Sequence, residues 1–276
     1  MLFRSRLQLL ERSFGVRLLQ RSPHALKLTE DGERCLDHAR ALLEAWSAAQ
    51  ADLRGAKEVP RGTLRVFAPH AFGQEQMVAP LVDFLAEYPQ VSVDWLLQDR
   101  SPDFIADGVD CAIRVGALDN DASLVAVHLA EVPRIVVAAP SLIGAEAAAT
   151  AQPAQLATLP WLALRMYYRN EVALQHEASG RRERFPIRPR LATDSLLALR
   201  RAALAGAGAA LVSAWVVAGD LAEGTLRHVA PEWSAESLPV NLVYPYARFY
   251  PARLRAFVAL MRERMPRMQG LRPPRA

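Results

Sequence analysis

The sequence predicts an α/β protein preceded by a mostly helical N-terminal region, and three observations lead to this expectation. From residue 63 onward, strand-like and helix-like segments alternate, which is typical of a sheet with helices on its faces. Residues 1–29 contain one amphipathic helix followed by a basic, hairpin-like stretch. Residues 30–58 form a long segment with heptad spacing.

The first element is an amphipathic helix that ends at Gly15, a residue able to adopt the left-handed conformation of a helix C-cap. Its apolar residues recur at i, i+4, i+7 and i+11 and form one stripe: Phe3, Leu7, Leu10 and Phe14. Two short strand-like runs, VRLLQRS and ALKLT, lie on either side of Pro23 and His24. The pattern therefore predicts a helix and then a hairpin.

Positive charge is concentrated in this N-terminal region. Residues 1–30 contain six basic and two acidic residues, which accounts for the whole formal net charge of +4. Lys and Arg side chains that neutralise phosphates supply most of the non-specific affinity of proteins for nucleic acids. A basic face that only meets solvent would carry the same charge, but the helix-and-hairpin pattern favours nucleic acid as the partner.

A long helix is expected to begin after Thr29, whose hydroxyl can cap it, and to run to about Gly55. Along it, residues recur at alternating three- and four-residue spacing: Leu36, Ala39, Leu43, Trp46, Gln50 and Leu53. This is the spacing of a coiled-coil seam, in which a polar residue such as Gln50 can fix the register. The helix is therefore expected to join two copies of the chain; the alternative is a helix docked on its own domain.

The region after Gly62 is expected to hold two α/β subdomains with a cleft between them. Its strand-like runs include TLRVFAP, VSVDWLL, CAIRVG, the pair LVAVHLA and RIVVAAP, WLALR, AALVS and PVNLVYP. The alternation with helices predicts a mainly parallel sheet. We assign residues 63–265 to this region, with subdomain I over about 63–131 and 237–265, subdomain II over about 132–236, and a mobile tail over 266–276.

Ligands of open α/β sheets bind beyond the carboxyl ends of the strands. The end of the first strand of this region places four residues at the mouth of the cleft: Pro69, His70, Ala71 and Phe72. The helix that begins near Thr193, Asp194 and Ser195 can present backbone N–H groups from the other side, where they favour an anion. Arg114 is a candidate carboxylate partner, although an arginine at a strand end more often lies on the surface.

Catalytic, metal-binding and membrane functions find little support in the sequence. It has no GxSxG, HExxH or GxxxxGK[ST] motif. Cys35 and Cys111 are far apart and show no zinc-ligand spacing, so neither a metal nor another cofactor is expected. No apolar stretch of about 18 residues and no signal-peptide pattern occurs, which predicts no membrane association and a cytoplasmic location.

Four stretches of the sequence match a known family pattern in combination. They are the N-terminal residues Leu10-Glu11, Gly15-Val16, Leu18, Arg21, Leu26, Leu28, Thr29 and Gly32; the strand residues Gly62, Leu64, Arg65 and Pro69; the run Asp110–Gly116 of form D-x-A-I-R-x-G; and the small-residue run Leu204–Leu211. Together they resemble LysR-type transcriptional regulators along nearly the whole chain.

The resemblance implies a partial winged helix-turn-helix, with recognition helix and wing over 1–29, and a dimerising linker helix over 30–58. It also implies an effector-binding domain folded like a type 2 periplasmic binding protein. The expected partners are promoter DNA, a small organic anion as effector, and further copies of the chain in a homodimer or tetramer. The DNA contacts that it implies are Arg4, Ser5, Arg6, Gln8, Arg12, Arg17, Arg21 and Lys27.

Two departures from the family pattern affect the DNA-binding region. The family has a further helix and the start of a turn ahead of the recognition helix, which this sequence does not contain, and it has Ser-Arg where this chain has Arg4-Ser5. Because a short helix is marginal alone in water, the chain as written is expected to bind promoter DNA poorly. Beside a ligand-responsive regulator, two alternatives remain: an effector-binding protein without sequence-specific DNA binding and, more distantly, an enzyme on a binding-protein scaffold.

Overall fold

The computed structural model describes residues 2–22, 25–53, 59–118 and 120–274. Its α-helices are α1 (Leu2–Phe14), α2 (Glu30–Leu53), α3 (His70–Glu75), α4 (Val78–Glu87), α5 (Ala145–Thr150), α6 (Pro153–Leu156), α7 (Leu196–Leu204), α8 (Ala218–Glu223) and α9 (Ala252–Arg264). Short 3-10 helices cover Ala214–Val217 and Met265–Arg267. Within these ranges, no helix combines the length and the apolar content needed to cross a bilayer.

The strands complete a mixed α/β fold, as the sequence predicts. They are β1 (Leu19–Ser22), β2 (Ala25–Leu28), β3 (Gly62–Ala68), β4 (Val91–Leu97), β5 (Cys111–Val115), β6 (Leu124–Ala138), β7 (Trp161–Leu164), β8 (Glu171–His176), β9 (Arg182–Pro186), β10 (Pro189–Thr193), β11 (Ala210–Ser213), β12 (Arg227–Val229) and β13 (Trp233–Pro245).

The N-terminal region has the predicted helix and hairpin. Helix α1 is followed by Gly15, whose φ of 71° is the left-handed C-cap conformation. Strands β1 and β2 pair antiparallel, and the turn predicted at Pro23 and His24 lies outside the described residues. Thr29 caps α2 as predicted, because its Oγ1 accepts a hydrogen bond from the backbone N–H of Gly32 at 3.0 Å.

Gly32 lies where the hairpin meets α2. A Cβ atom built on it would lie 2.0 Å from the carbonyl oxygen of Leu18, a main-chain atom at the start of the hairpin. We expect Gly32→Ala to force the hairpin away from α2 and to destabilise this junction by about 1–3 kcal/mol, as overpacking does. Faster amide hydrogen exchange in residues 18–28 would show the change.

A matched variant, Gly144→Ala, controls for the loss of glycine itself. Gly144 has a φ of −65°, and no heavy atom lies within 4 Å of the position that a Cβ would take there. Amide exchange in residues 18–28 of the Gly144→Ala protein should therefore match that of the wild-type protein. Wild-type exchange in these residues of the Gly32→Ala protein would contradict the prediction.

Helix α2 presents its predicted seam to solvent in the single chain. Leu43 and Trp46 expose 67% and 64% of their surface, and Leu36 is also exposed. The side chains of Gln50 and Leu53 lie outside the described residues. Apolar side chains of this size on one stripe are what a coiled-coil partner would cover.

Subdomain I is built on a mixed sheet, so the expectation of a mainly parallel sheet is wrong. Strand β3 is parallel to β4 and β5, but β13 runs antiparallel to β5 and β6. The reason is the chain path: β13 returns from the far end of the chain and inserts between β5 and β6. Helices α4 and α9 pack together beside this sheet. The rings of Phe84 and Phe257 meet edge to face there, with their centroids 5.4 Å apart.

The long strand β6 connects the two halves of the effector region. The runs LVAVHLA and RIVVAAP, predicted as a pair of strands, form the single strand β6. Its first part pairs with β13 in subdomain I, and its last part pairs with β11 and β12 in subdomain II. Pro133, which lacks an N–H, is accommodated because β13 has two residues, Glu236 and Ser237, opposite it in a bulge.

Subdomain II surrounds the remaining strands. Strands β7 and β10 are parallel, and α7 packs against β7 and β11. Arg200 of α7 and Asp220 of α8 form a bidentate ion pair, with N–O distances of 2.6 and 2.7 Å, around a carboxylate that is almost fully buried. This pair fixes the two helices relative to each other.

The described part of the C-terminal tail, residues 266–274, lies against the fold, although the sequence predicts a mobile tail. Arg272 and Glu131 exchange two backbone hydrogen bonds, at 2.8 and 2.9 Å. Gly270, with a φ of 74°, approaches the backbone of Trp215 so closely that a Cβ would lie 2.7 Å from its Cα. These contacts give the tail backbone the hydrogen-bond partners that a free tail would find in water.

Candidate effector cavity and nucleic-acid interface

A cavity of about 390 Å³ lies between the two subdomains. Its volume is within the range of sites that hold small organic ligands. Seven of the eight residues predicted for the effector site line it: Pro69, His70, Ala71, Phe72, Arg114, Asp194 and Ser195. Two sequence segments far apart in the chain, 69–72 and 194–195, thus face each other across one cavity.

His70 begins α3 at the carboxyl end of β3 and is held by Asp99. The backbone N–H of His70 donates to Asp99 Oδ1 at 3.1 Å, and its ring Nδ1 lies 3.2 Å from Asp99 Oδ2. If Nδ1 carries the proton, the ring leaves Nε2 as an acceptor for a ligand. Asp99 follows β4, the strand beside β3, so the two residues meet only in the folded sheet.

Ser195 is the N-cap of α7 on the opposite wall. Its Oγ accepts a hydrogen bond from the backbone N–H of Ala198 at 3.2 Å. Thr193, the eighth predicted residue, does not line the cavity, but its Oγ1 accepts a hydrogen bond from the backbone N–H of Ser195 at 3.1 Å. The cavity wall here is therefore a capped helix start with Asp194 beside it.

Two arginines lie in the cavity wall. Arg114, at the end of β5, donates through Nη1 to the hydroxyl of Ser101. Arg100, which no sequence pattern marks, donates from both terminal nitrogens to Asp107, at 2.8 and 2.7 Å. These bonds lower the pKa of the Asp107 carboxyl below its ordinary value.

Aromatic side chains from both subdomains form the apolar part of the wall. Phe72 of subdomain I and Trp215 of subdomain II meet edge to face, with ring centroids 5.8 Å apart. The hydroxyl of Tyr167 donates to the carbonyl of Val115 at 3.1 Å and so links the two halves directly. Burial raises the pKa of Tyr167 above its ordinary value, which keeps this donor protonated. The cavity thus offers aromatic surface together with charged groups.

Some of the polar and aromatic cavity residues that sequence reasoning missed lie in loops, whereas Ser213 ends β11 and Trp215 lies in a short 3-10 helix. The missed residues are chiefly Asp99, Arg100, Tyr167, Ser213 and Trp215. Asp99 could have been found, because it follows a strand-like run in the same way that His70 does. Ser213 could have been found in the same way, because it ends the strand-like run AALVS. No sequence signal marks Arg100, Tyr167 or Trp215.

The candidate nucleic-acid interface is a unit made of α1 and the β1–β2 hairpin. Glu11 of α1 accepts hydrogen bonds from the backbone N–H groups of Leu18 and Leu19 at 2.8 and 3.2 Å, which ties the hairpin to the helix. Gln8 and Arg12 lie four residues apart and share a helix face. The predicted contacts whose side chains are described are all exposed: Arg6, Gln8, Arg12, Arg17 and Lys27.

Three other predicted DNA contacts are described only in their backbone. Arg4 and Ser5 lie in α1 and Arg21 lies in β1, and their side chains are outside the described residues. On the apolar stripe of α1, Leu10 and Phe14 expose 39% and 57% of their surface.

Comparison with known proteins gives concordant matches. Residues 57–266 match the family model described as the LysR substrate binding domain. The chain is 30% identical over 268 residues to the HTH-type transcriptional regulator PtxR of Pseudomonas aeruginosa, covering 96% of this chain and 84% of that protein. It is 30% identical over 249 residues to the HTH-type transcriptional activator AaeR of Escherichia coli, covering 90% and 80%. The solved structure of CrgA, a LysR-type transcriptional regulator from Neisseria meningitidis, matches with a TM-score of 0.63 and 28% identity over 94% of this chain and 87% of that one.

Proposed function

The chain belongs to the LysR family of transcriptional regulators, and we propose that it binds promoter DNA under the control of a small organic anion in the inter-subdomain cavity. The single observation that carries the ligand-controlled part is that segments 69–72 and 194–195 face each other across this cavity. Its aromatic surface, together with His70 and Arg114 in the lining, suits a ligand that has an apolar body and an anionic group.

We further propose that α1 and the hairpin contact the DNA and that α2 joins two copies of the chain. The exposed basic side chains of Arg6, Arg12, Arg17 and Lys27 support phosphate contacts. The exposed seam of α2 supports a dimer, because Leu43 and Trp46 have no cover in the single chain. The matched relatives are named as regulators rather than as enzymes.

The DNA-binding part can be tested by titrating the protein against the intergenic DNA beside its gene and against a shuffled fragment of equal composition. The proposed function predicts preference for the native fragment by a factor of about 10³ or more, whereas the poor binding expected from a short helix alone predicts nearly equal affinities. Arg17→Gln should weaken binding to both fragments, because Arg17 is expected to contact phosphate rather than bases. The slope of log affinity against log salt concentration should become smaller by about 1.

Arg169→Gln is the matched control, since Arg169 is an exposed arginine in subdomain II. It should leave both affinity and salt dependence unchanged. Equal affinity for native and shuffled DNA would favour the second candidate, an effector-binding protein without sequence-specific DNA recognition. The exposed apolar stripe of α1 is the observation that keeps this candidate open.

A further inference from the structure

The loop between β4 and β5, residues 98–110, has one side in the effector cavity and the other against α2. The Arg100–Asp107 ion pair crosses the loop, because Arg100 lines the cavity and Asp107 lies on the side that faces α2. The Arg100 guanidinium also lies 5.4 Å from the ring centroid of Phe67, a buried residue of β3. Asp107 Oδ2 additionally accepts a hydrogen bond from the backbone N–H of Asp103 at 2.9 Å.

Two further cavity residues hold the start of the same loop. Arg114 donates to Ser101, and His70 binds Asp99 through its backbone and ring nitrogens. The side chains of three cavity residues, Arg100, Arg114 and His70, are thus each bonded to residues 99–107. A ligand that attracts any of them competes with the loop for the same donors.

The opposite side of the loop meets α2 in a crevice of about 250 Å³. Arg65 of β3 contacts both the loop and α2 there. Its Nη1 lies 3.4 Å from the carbonyl oxygen of Gly108 and 3.8 Å from Asp37 Oδ2 of α2, while its Nε donates to Asp94 at 3.2 Å. The loop position therefore bears directly on a contact made by the linker helix.

From these contacts we propose that Arg100 binds the anionic group of the effector and that the release of Asp107 passes the signal to α2 through the β4–β5 loop. The proposal rests on the proposed function above and names the regulation of that same cavity. A ligand carboxylate can match the two donors of Arg100 as Asp107 does. Because the Arg100 side chain is 51% exposed, the existing pair contributes little to stability and can be exchanged.

The coupling follows from what Asp107 does after the exchange. Without Arg100, its carboxylate no longer closes the loop, and the segment that carries the Gly108 carbonyl is free to move against Arg65. An effector that binds the open arrangement of the loop more tightly than the closed one shifts the population toward it. The Arg65 contact with Asp37 is then altered, which connects ligand occupancy with the helix that is expected to join the two DNA-binding regions.

Asp107→Asn tests the coupling without any ligand, because it removes the charge of the pair and keeps its shape. Hydrogen exchange in residues 100–110 and 30–40 should become about two- to fivefold faster, the range expected for loss of an exposed ion pair. Asp83→Asn is the control: it removes a 2.6 Å exposed ion pair with Arg264, away from the loop. Unchanged exchange in 30–40 in the Asp107→Asn protein would overturn the coupling to α2.

The anion assignment has its own test, in which benzoate and succinate serve as probes and benzyl alcohol as the uncharged analogue of benzoate. At least one carboxylate should raise the melting temperature of the wild-type protein, and Arg100→Gln should weaken its binding at least about tenfold, as loss of a bidentate charged pair does. Benzyl alcohol should act equally on both proteins. Loss of the effect in Arg114→Gln but not in Arg100→Gln, or no stabilisation of the wild-type protein by either carboxylate, would overturn the assignment. Neither test uses DNA, so their failure is distinguishable from failure of the promoter titration.

Discussion

Replacing Leu43 by glutamate is expected to dissociate the protein into monomers. Leu43 lies on the predicted seam of α2 and is 67% exposed in the single chain, so a partner helix is expected to bury it. Burial of a leucine side chain contributes about 1.5–3 kcal/mol, and in a symmetric dimer the loss occurs twice. A buried unpaired carboxylate adds a further cost. Light scattering across a wide concentration range measures the change directly.

Leu42→Glu provides the matched control for this experiment. Leu42 is the adjacent residue on the same helix and is 72% exposed, but it lies about 100° around the helix from Leu43, off the predicted seam. The Leu42→Glu protein should keep the mass of the wild-type oligomer. A Leu43→Glu protein of unchanged mass would show that α2 does not hold the copies together.

Replacing Ser195 by tryptophan is expected to abolish stabilisation by a cavity ligand. A tryptophan at the cavity wall would occupy space opposite His70 in a volume of about 390 Å³. A carboxylate that stabilises the wild-type protein at about 100 times its Kd adds about 2.7 kcal/mol to the free energy of unfolding. In Ser195→Trp this gain should vanish. Thermal unfolding with and without benzoate or succinate measures it.

Ser195→Ala separates the loss of the helix cap from the loss of space. The hydroxyl of Ser195 caps α7, and removing such a cap costs about 1 kcal/mol. The Ser195→Ala protein should therefore melt at a lower temperature but keep its response to the ligand. An equal ligand-induced shift in Ser195→Trp would place the ligand elsewhere.

Local features of the fold could be predicted because local chemistry determines them. Gly15 ends α1, Thr29 caps α2 and Ser195 caps α7, as the residue types indicate. The sheet order could not be predicted, since the insertion of β13 between β5 and β6 depends on pairing between distant segments. Pro133 interrupts the strand pattern of β6 because proline cannot join the ladder, but a bulge in β13 accommodates it.

The cavity could be predicted in part, because two of its segments lie at strand and helix ends that the sequence marks. The end of β3 and the start of α7 are positions that any open α/β sheet offers to a ligand, and residues 69–72 and 194–195 occupy them. The pairing of Arg100 with Asp107 could not be found, because it depends on the path of a loop without helical or strand spacing. Trp215 reaches the cavity through contact with Phe72 from the other subdomain, which no local pattern reveals.

The late return of β13 and α9 to subdomain I determines when that half can form during synthesis. The first strand of its sheet begins at Gly62 and pairs with one edge of β5, but the strand that covers the other edge of β5 begins only at Trp233, and the helix that packs on α4 ends at Arg264. Until the ribosome has made β13 and α9, β5 has an open edge and Phe84 lacks its partner Phe257. Unpaired strand edges and exposed apolar faces promote aggregation of nascent chains. Subdomain I is therefore the half that completes its sheet last while the chain grows, although it begins first in the sequence.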